Sequence, residues 1–112
     1  METTTKEEFI RVQRVIDGKF NLITADGKLL LDEWFEWIDY FQDGFAKVQR
    51  AYEKYNYIDK QGKILSNEWF KYGYDFYNEF ARVQRFDNSM NFINKDGKII
   101  SDEWFKYVED FQ

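Results

Sequence analysis

Hydrophobic and polar residues alternate in short stretches along the chain. In FARVQR, Ala81 and Val83 fall on one face of an extended segment and the residues between them fall on the other. A period of two is typical of a β-strand with one buried face. The next segment, NFIN (residues 91–94), is short and rich in β-formers. The pattern therefore predicts two neighbouring strands and no amphipathic helix.

A hairpin turn follows the second predicted strand. An Asp-Gly or Gln-Gly pair comes directly after it, and the glycine supplies the positive φ that hairpin connections require. The segment KIISDEWF (residues 98–105) is predicted to be the returning strand, whereas KYVEDF (residues 106–111) mixes acidic and aromatic residues without a clear period. The turn glycines are Gly27, Gly62 and Gly97.

The same pattern occurs three times. Phe-x-basic-Val-Gln-Arg begins at Phe9, Phe45 and Phe80, and the later Glu-Trp-Phe block recurs with tryptophans 35 residues apart. Self-similarity at a fixed period is the sequence signature of a repeat architecture. We therefore divide the chain into a leader (1–8) and three copies: copy 1 (9–44), copy 2 (45–79) and copy 3 (80–112).

The predicted fold is all-β. Each copy of about 35 residues is expected to form an antiparallel hairpin or three-stranded meander, and the copies are expected to stack as a short open array. The alternative is a closed, trefoil-like arrangement with three-fold symmetry, which would bury the two ends of the array. An open array needs its ends covered, or it must associate end to end with itself or a partner.

Composition narrows the function. The net charge of -5 disfavours binding to nucleic acid or anionic membrane, and no apolar run approaches the roughly 20 residues of a membrane span. The start, METTTKEEF, lacks the features of a secretory signal, and the absence of cysteine fits the cytoplasm. The chain also lacks histidine, the commonest catalytic base and a common metal ligand. We expect a cytoplasmic protein that is not an enzyme and has no cofactor.

The segment DGFAKVQRAYEKYNYIDKQGKILSNEWF resembles the WG-type β-repeat of bacteria and their phages. In that family a small residue and a Val-containing strand precede a Y-I-D-K-x-G-K hairpin and an aromatic block, and the match runs from Phe9 to Phe111. The Trp-Gly or Tyr-Gly pair that names the family is replaced by Phe20-Asn21, Tyr55-Asn56 and Met90-Asn91. The resemblance implies a β-repeat architecture and a role as an interaction platform, with no catalytic residue.

The hairpin also resembles a calcium-binding loop. Aligned on Gly97, Asn94, Asp96 and Glu103 occupy ligand positions of an EF-hand. The first ligand position is occupied by Phe92, and by Tyr57 and Leu22 in the other copies. Because that position needs an oxygen ligand, we interpret the loop as a β-hairpin and expect no metal site.

Residues shared by all copies have a functional and a structural interpretation. A repeated Gln-Arg pair could bind a polymer or a peptide backbone, but we favour ion pairs between neighbouring strands, in which each arginine pairs with the glutamate of its own copy. The shared tryptophans could form a platform for glycan or bases, but core packing is favoured. In that case one member of each Trp-Phe pair points inward and the other caps the adjacent copy. The arginines are Arg14, Arg50 and Arg85, the glutamates Glu33, Glu68 and Glu103, and the tryptophans Trp34, Trp69 and Trp104.

Aromatic residues that differ between copies are the better candidates for binding, because Tyr and Trp offer rigid contact area with a polar group. The functional hypothesis is a protein-interaction module, with possible self-association. One alternative is a glycan or nucleotide binder with pockets between copies, and another is an assembly protein that associates end to end. The candidate partner-binding residues are Trp37, Tyr40, Tyr72, Tyr74, Tyr77 and Tyr107.

Overall fold

The computed structural model describes residues 9–109, which contain strands, turns and irregular segments but no helix, and hence none that could span a membrane. The predicted leader (1–8) and the last residues of copy 3 (110–112) lie outside the described residues. The strands are β1 (Ile10–Gln13), β2 (Phe20–Ile23), β3 (Trp37–Gln42), β4 (Phe45–Ala51), β5 (Lys54–Ile58), β6 (Tyr72–Gly73), β7 (Phe80–Gln84) and β8 (Met90–Asn94).

The strands form three small antiparallel sheets, which confirms the all-β prediction. The first sheet has the order β1-β2, the second β3-β4-β5 and the third β6-β7-β8. Each order is linear, so none of the three sheets closes on itself. A closed, trefoil-like sheet is therefore not formed by residues 9–109.

Each three-stranded sheet crosses a boundary between copies. The first strand, β3, comes from the end of copy 1 and pairs with β4 of copy 2, with Trp37 opposite Gln49 and Ile38 opposite Val48. In the same way β6 of copy 2 pairs with β7 of copy 3, with Tyr72 opposite Gln84. The segments with no clear sequence period therefore join one copy to the next through backbone hydrogen bonds.

The prediction of a returning strand at residues 98–105 is wrong. This segment and its counterparts make only isolated bridges, such as Ile93 with Ile99 and Met90 with Phe105. The reason is an asparagine that lies within the neighbouring strand in each copy, as its second or third residue. Its side chain takes hydrogen bonds that a continuous ladder would otherwise make.

These asparagines are fully buried and well bonded. Asn56, 1% exposed, donates through Nδ2 to the carbonyls of Ser66 and Glu68, at 2.8 and 3.1 Å. Its Oδ1 accepts from the amides of Tyr57 and Ser66, at 2.8 and 3.2 Å. Asn21 and Asn91 make similar contacts in their copies. A buried amide is tolerated because it finds backbone partners.

The hydrophobic core lies between copies. One cluster joins Leu22, Leu31 and Phe35 of copy 1 to residues of β4 and β5 in copy 2. A second cluster joins copy 2 to β7 and β8 of copy 3 in the corresponding way. The molecule measures 45 × 40 × 18 Å and has a radius of gyration of 15.2 Å, whereas a compact globule of this length has about 13 Å. The chain is therefore flat, with its core distributed over two junctions.

Candidate functional site

Basic side chains and aromatic rings alternate across the face of the sheets opposite the core. In copy 1 the guanidinium of Arg11 lies 4.3 Å from the ring centre of Trp37 and 4.8 Å from that of Tyr40. Its Nη1 donates to the carbonyl of Ile38 at 2.7 Å, and Trp37 packs edge-on against Phe20 at 5.1 Å. Arg11 is thereby fixed among three rings, where cation–π attraction adds to packing.

The same arrangement follows in copy 2. The ammonium of Lys47 lies 4.6 Å from the ring centre of Tyr72 and donates to its hydroxyl at 3.0 Å. Asp39 and Asp75 each approach Lys47 at 3.9 Å, so Asp39 links the two groups. Tyr55 packs edge-on against Tyr72 at 4.8 Å, and burial is the main cause that raises the pKa of Tyr55.

A further ring connects this group to copy 3. Tyr74 packs edge-on against Tyr72 at 4.9 Å. The guanidinium of Arg82 lies 4.2 Å from the ring centre of Tyr74. We call the set of rings and cations the ring strip. It consists of Arg11, Phe20, Trp37, Tyr40, Lys47, Tyr55, Tyr72, Tyr74 and Arg82.

The six candidate binding aromatics are divided by the structure. Trp37, Tyr40, Tyr72 and Tyr74 come together in the ring strip, as described above. Tyr107 occupies the position of Trp37 and Tyr72 in copy 3 and is exposed. Tyr77 is exposed in the turn between β6 and β7, where it bridges to Phe80.

The shared arginines pair with glutamates of the preceding copy, not with those of their own copy. Arg50 forms a two-bond contact with Glu33, at 2.6 and 2.8 Å, and Arg85 forms the same contact with Glu68, at 2.6 and 3.0 Å. The prediction that each arginine pairs with the glutamate of its own copy is therefore wrong. The reason is that strand pairing places the end of one copy beside the start of the next.

Within residues 9–109 no copy precedes copy 1, and its arginine has a different partner. Arg14 binds Asp17 in the adjacent turn, at 2.6 and 3.1 Å. Hydrogen bonds from Arg14 are the main cause that lowers the pKa of Asp17 to about 2. At the other end, Glu103 has no ion-pair partner within residues 9–109.

The tryptophans cap the same junctions. Trp69 stacks on Phe35 of copy 1 with ring centres 6.3 Å apart and lies 3.9 Å from the guanidinium carbon of Arg50. Trp104 repeats this with Phe70 and Arg85. Phe35 and Phe70 are fully buried, whereas the tryptophans are partly exposed. In copies 1 and 2 the phenylalanine of the Trp-Phe pair therefore points inward, and in copies 2 and 3 the tryptophan covers the previous copy. Phe105 of copy 3 is 39% exposed.

Turn glycines bring the copies into close backbone contact. All three have positive φ, between 83° and 86°. A Cβ added at Gly62 would lie 2.9 Å from the carbonyl oxygen of Leu30, and one at Gly97 would lie 2.5 Å from that of Leu65. A Cβ at Gly27 would meet no described atom within 4 Å. Positive φ therefore favours glycine at all three positions, and close contact with the previous copy requires it in addition at Gly62 and Gly97.

Two grooves occupy equivalent positions in copies 2 and 3, and the first is lined in part by ring-strip residues. One has a volume of about 320 Å³ and is lined by Gln49, Tyr52, Glu53, Tyr55, Lys71, Tyr72 and Gln84. The other, about 610 Å³, is lined by Gln84, Asp87, Asn88, Ser89, Met90 and Lys106. The glutamine and lysine positions recur, whereas the remaining lining differs between the copies.

In each copy, the side chain at the third ligand position of the calcium-loop alignment is engaged in the turn. Oδ1 of Asn94 accepts from the amides of Asp96 and Lys98, both at 2.9 Å. Asp59 does the same in copy 2, and in copy 1 the hydroxyl of Thr24 contacts Asp26. These oxygens order the hairpin in the way that Asx turns do. The absence of a metal site stays a prediction.

Sequence reasoning missed two sets of residues. The buried asparagines Asn21, Asn56 and Asn91 are identical in all copies, which was a usable signal for a structural role. The cations of the ring strip occupy the basic position before Val-Gln-Arg, but they contact rings that lie in other strands or segments. No pattern within one strand could have shown that contact.

The chain has no match among protein-family models or among curated proteins.

Proposed function

We propose that the chain is a non-enzymatic protein-interaction module of the WG-repeat type, in which three copies stack as an open array. The contacts between copies support the array, because ion pair, ring stack and glycine contact all recur at both junctions. The proposed partner is a polypeptide in the cytoplasm, bound across the ring strip. Neither membrane nor nucleic acid is a proposed partner, in keeping with the acidic charge.

The single observation that carries this proposal is the exposure of rigid, preorganised rings. Trp37 is 39% exposed and Tyr40 71%, although both rings are positioned by Arg11. Tyr, Trp and Arg are the residues that most often dominate the energy of protein interfaces. Rings that are already fixed lose little conformational freedom when a partner binds. The ring strip therefore has the composition and rigidity of a binding surface.

Affinity purification from cells that express the protein naturally tests the proposal. The wild type is compared with Tyr40→Ala and with Val15→Ala, which truncates a fully exposed side chain in the turn after β1. Loss of a central ring costs about 2 kcal/mol, or about 30-fold in affinity. We expect partners that Val15→Ala retains and Tyr40→Ala loses. Equal recovery by both variants would contradict binding at the ring strip.

A second candidate function is binding of a small ligand, such as a glycan or nucleotide. The observation in its favour is the pair of equivalent grooves, each combining glutamine and lysine with aromatic or apolar surface. Titration of the isotope-labelled protein with a glycan and nucleotide panel tests it by NMR. Shifts confined to Gln49, Lys71 and Gln84 would favour the ligand binder. Shifts along Trp37 and Tyr40 on addition of a peptide would favour the interaction module.

A further inference from the structure

The two ends of the described array, in copy 1 and copy 3, carry complementary halves of one junction. Within the chain, each junction buries the start of one copy against the end of the previous copy. Ala46 and Val48 of β4 are fully buried there, as are Ala81 and Val83 of β7. The matching residues of copy 1 are Ile10, which is 59% exposed, and the partly exposed Val12. Copy 1 therefore presents the receiving side of a junction with nothing described against it.

Copy 3 presents the opposite side. Phe35 and Phe70 are buried at the two internal junctions, whereas Phe105 is 39% exposed. Ile100, at the position of Leu30 and Leu65, is also exposed. Large apolar side chains exposed together at the end of an array are typical of an association site.

The polar contacts match in the same way. Glu103 corresponds to the glutamates that bind Arg50 and Arg85, and it is exposed without an ion-pair partner in the described chain. At the other end, the guanidinium carbon of Arg14 lies 4.4 Å from the ring centre of Trp34, as Arg50 lies over Trp69. The Arg14 contact with Asp17 is an exposed one and is easily exchanged. The arginine is thus positioned for a glutamate of another copy.

Backbone groups complete the match. In residues 9–109 strand β1 has one hydrogen-bonded neighbour, β2, whereas β4 and β7 each have two. The missing neighbour corresponds to β3 and β6, which are the ends of copies 1 and 2. The equivalent segment of copy 3 begins at Tyr107, and residues 107–109 are not paired as a strand. Gly27 leaves open the space that Leu30 and Leu65 fill beside the other two glycines.

We propose that the protein associates head to tail, with the copy 3 end of one molecule bound to the copy 1 end of another. The new junction pairs Glu103 with Arg14, stacks Trp34 on Phe105, and adds residues 107–109 to the free edge of β1. Such a contact joins different surfaces, so it produces a ring or a filament. The inference rests on the proposed array but not on a partner at the ring strip.

Charge reversal at the junction tests the inference, with mass measured by sedimentation over a wide concentration range. The wild type is expected to rise at least to twice the monomer mass. Glu103→Arg and Arg14→Glu are each expected to remain monomeric, because each places like charges together. An equimolar mixture of the two is expected to associate again, since every junction then has opposite charges. Glu79→Arg, which changes the net charge equally at an exposed turn, should associate like the wild type.

Two results would overturn the inference. The first is a wild type that stays monomeric up to the highest soluble concentration. The second is association that persists in both single variants, which would place the contact elsewhere. Neither result affects the Tyr40→Ala test, because Tyr40 lies in the ring strip and not at an end.

Discussion

The glycine contacts between copies allow the strength of a junction to be measured. Gly27, Gly62 and Gly97 have the same turn conformation, so alanine carries the same backbone cost at each, about 1 kcal/mol. They differ in what the added methyl meets. At Gly62 it lies 2.9 Å from the Leu30 carbonyl oxygen and 3.0 Å from a methyl of Leu31, whereas at Gly27 it meets no described atom within 4 Å.

The magnitude follows from this difference. Distances of 2.9 Å and below require the junction to open, and overpacking of this kind typically costs about 1–3 kcal/mol. We therefore expect the free energy of unfolding to fall by about 1 kcal/mol for Gly27→Ala and by about 2–4 kcal/mol for Gly62→Ala. Gly97→Ala, with 2.5 Å to the Leu65 oxygen, should behave like Gly62→Ala.

Urea denaturation, followed by tryptophan fluorescence and circular dichroism, is the assay. It is done at a concentration where the protein is monomeric, so that Gly27 is not at an intermolecular junction. A weakened junction should also broaden the transition of Gly62→Ala, because cooperativity between copies depends on it. Equal losses of stability for Gly27→Ala and Gly62→Ala would refute the reasoning that copies are held by this contact.

Three other predictions concern the same framework. Asn56→Ala should lower the free energy of unfolding by about 2–4 kcal/mol, because four backbone groups lose a hydrogen-bond partner. Asn67→Ala, at an exposed position, should change the stability to urea little. Equal effects of the two substitutions would contradict the structural role of Asn56. Tyr57 has a pKa raised well above 10, mainly by burial, so the folded state favours the neutral phenol. Its contribution to stability is present below about pH 10 and is lost as the pH rises above the pKa of tyrosine in the unfolded chain. The free energy of unfolding, measured against pH, should therefore fall in this range, and Tyr57→Phe should reduce the fall. An equally steep fall in that variant would contradict the prediction. Glu33→Gln should lower the free energy of unfolding by at most about 1 kcal/mol and should reduce the salt dependence of thermal unfolding, because the ion pair with Arg50 is partly exposed. A much larger loss of stability would contradict an ion pair that solvent screens.

The strands that a local pattern encodes were predictable. Ala81 and Val83 alternate with polar residues, and in the structure both are buried on one face of β7. The turn glycine Gly97 was predictable for a similar reason, because positive φ is required within the turn itself. Both features depend on residues that lie close together in the chain.

Features that depend on distant partners were not predictable. The strand β3 mixes Trp37 and Asp39 without a clear period because its side chains contact two copies. Trp37 packs against Phe20 of copy 1, whereas Asp39 approaches Lys47 of copy 2. Residues 98–105 have the composition of a strand, but the side chain of Asn91 binds their backbone and interrupts the ladder. The ring strip depends on pairs such as Lys47 and Tyr72, which lie in the same copy but in different sheets and far apart in the chain.

Site-specific photo-cross-linking tests the central functional claim most directly. A photoreactive phenylalanine derivative is placed at Tyr40, in the ring strip. In a second variant it is placed at Val15, which is more exposed than Tyr40 but lies away from the ring strip. Irradiation is carried out in cells that express the protein naturally, and adducts are identified by mass spectrometry. We predict a discrete protein adduct from Tyr40 and none from Val15. Adducts of the same kind from both positions, or from neither, would contradict a binding surface at the ring strip.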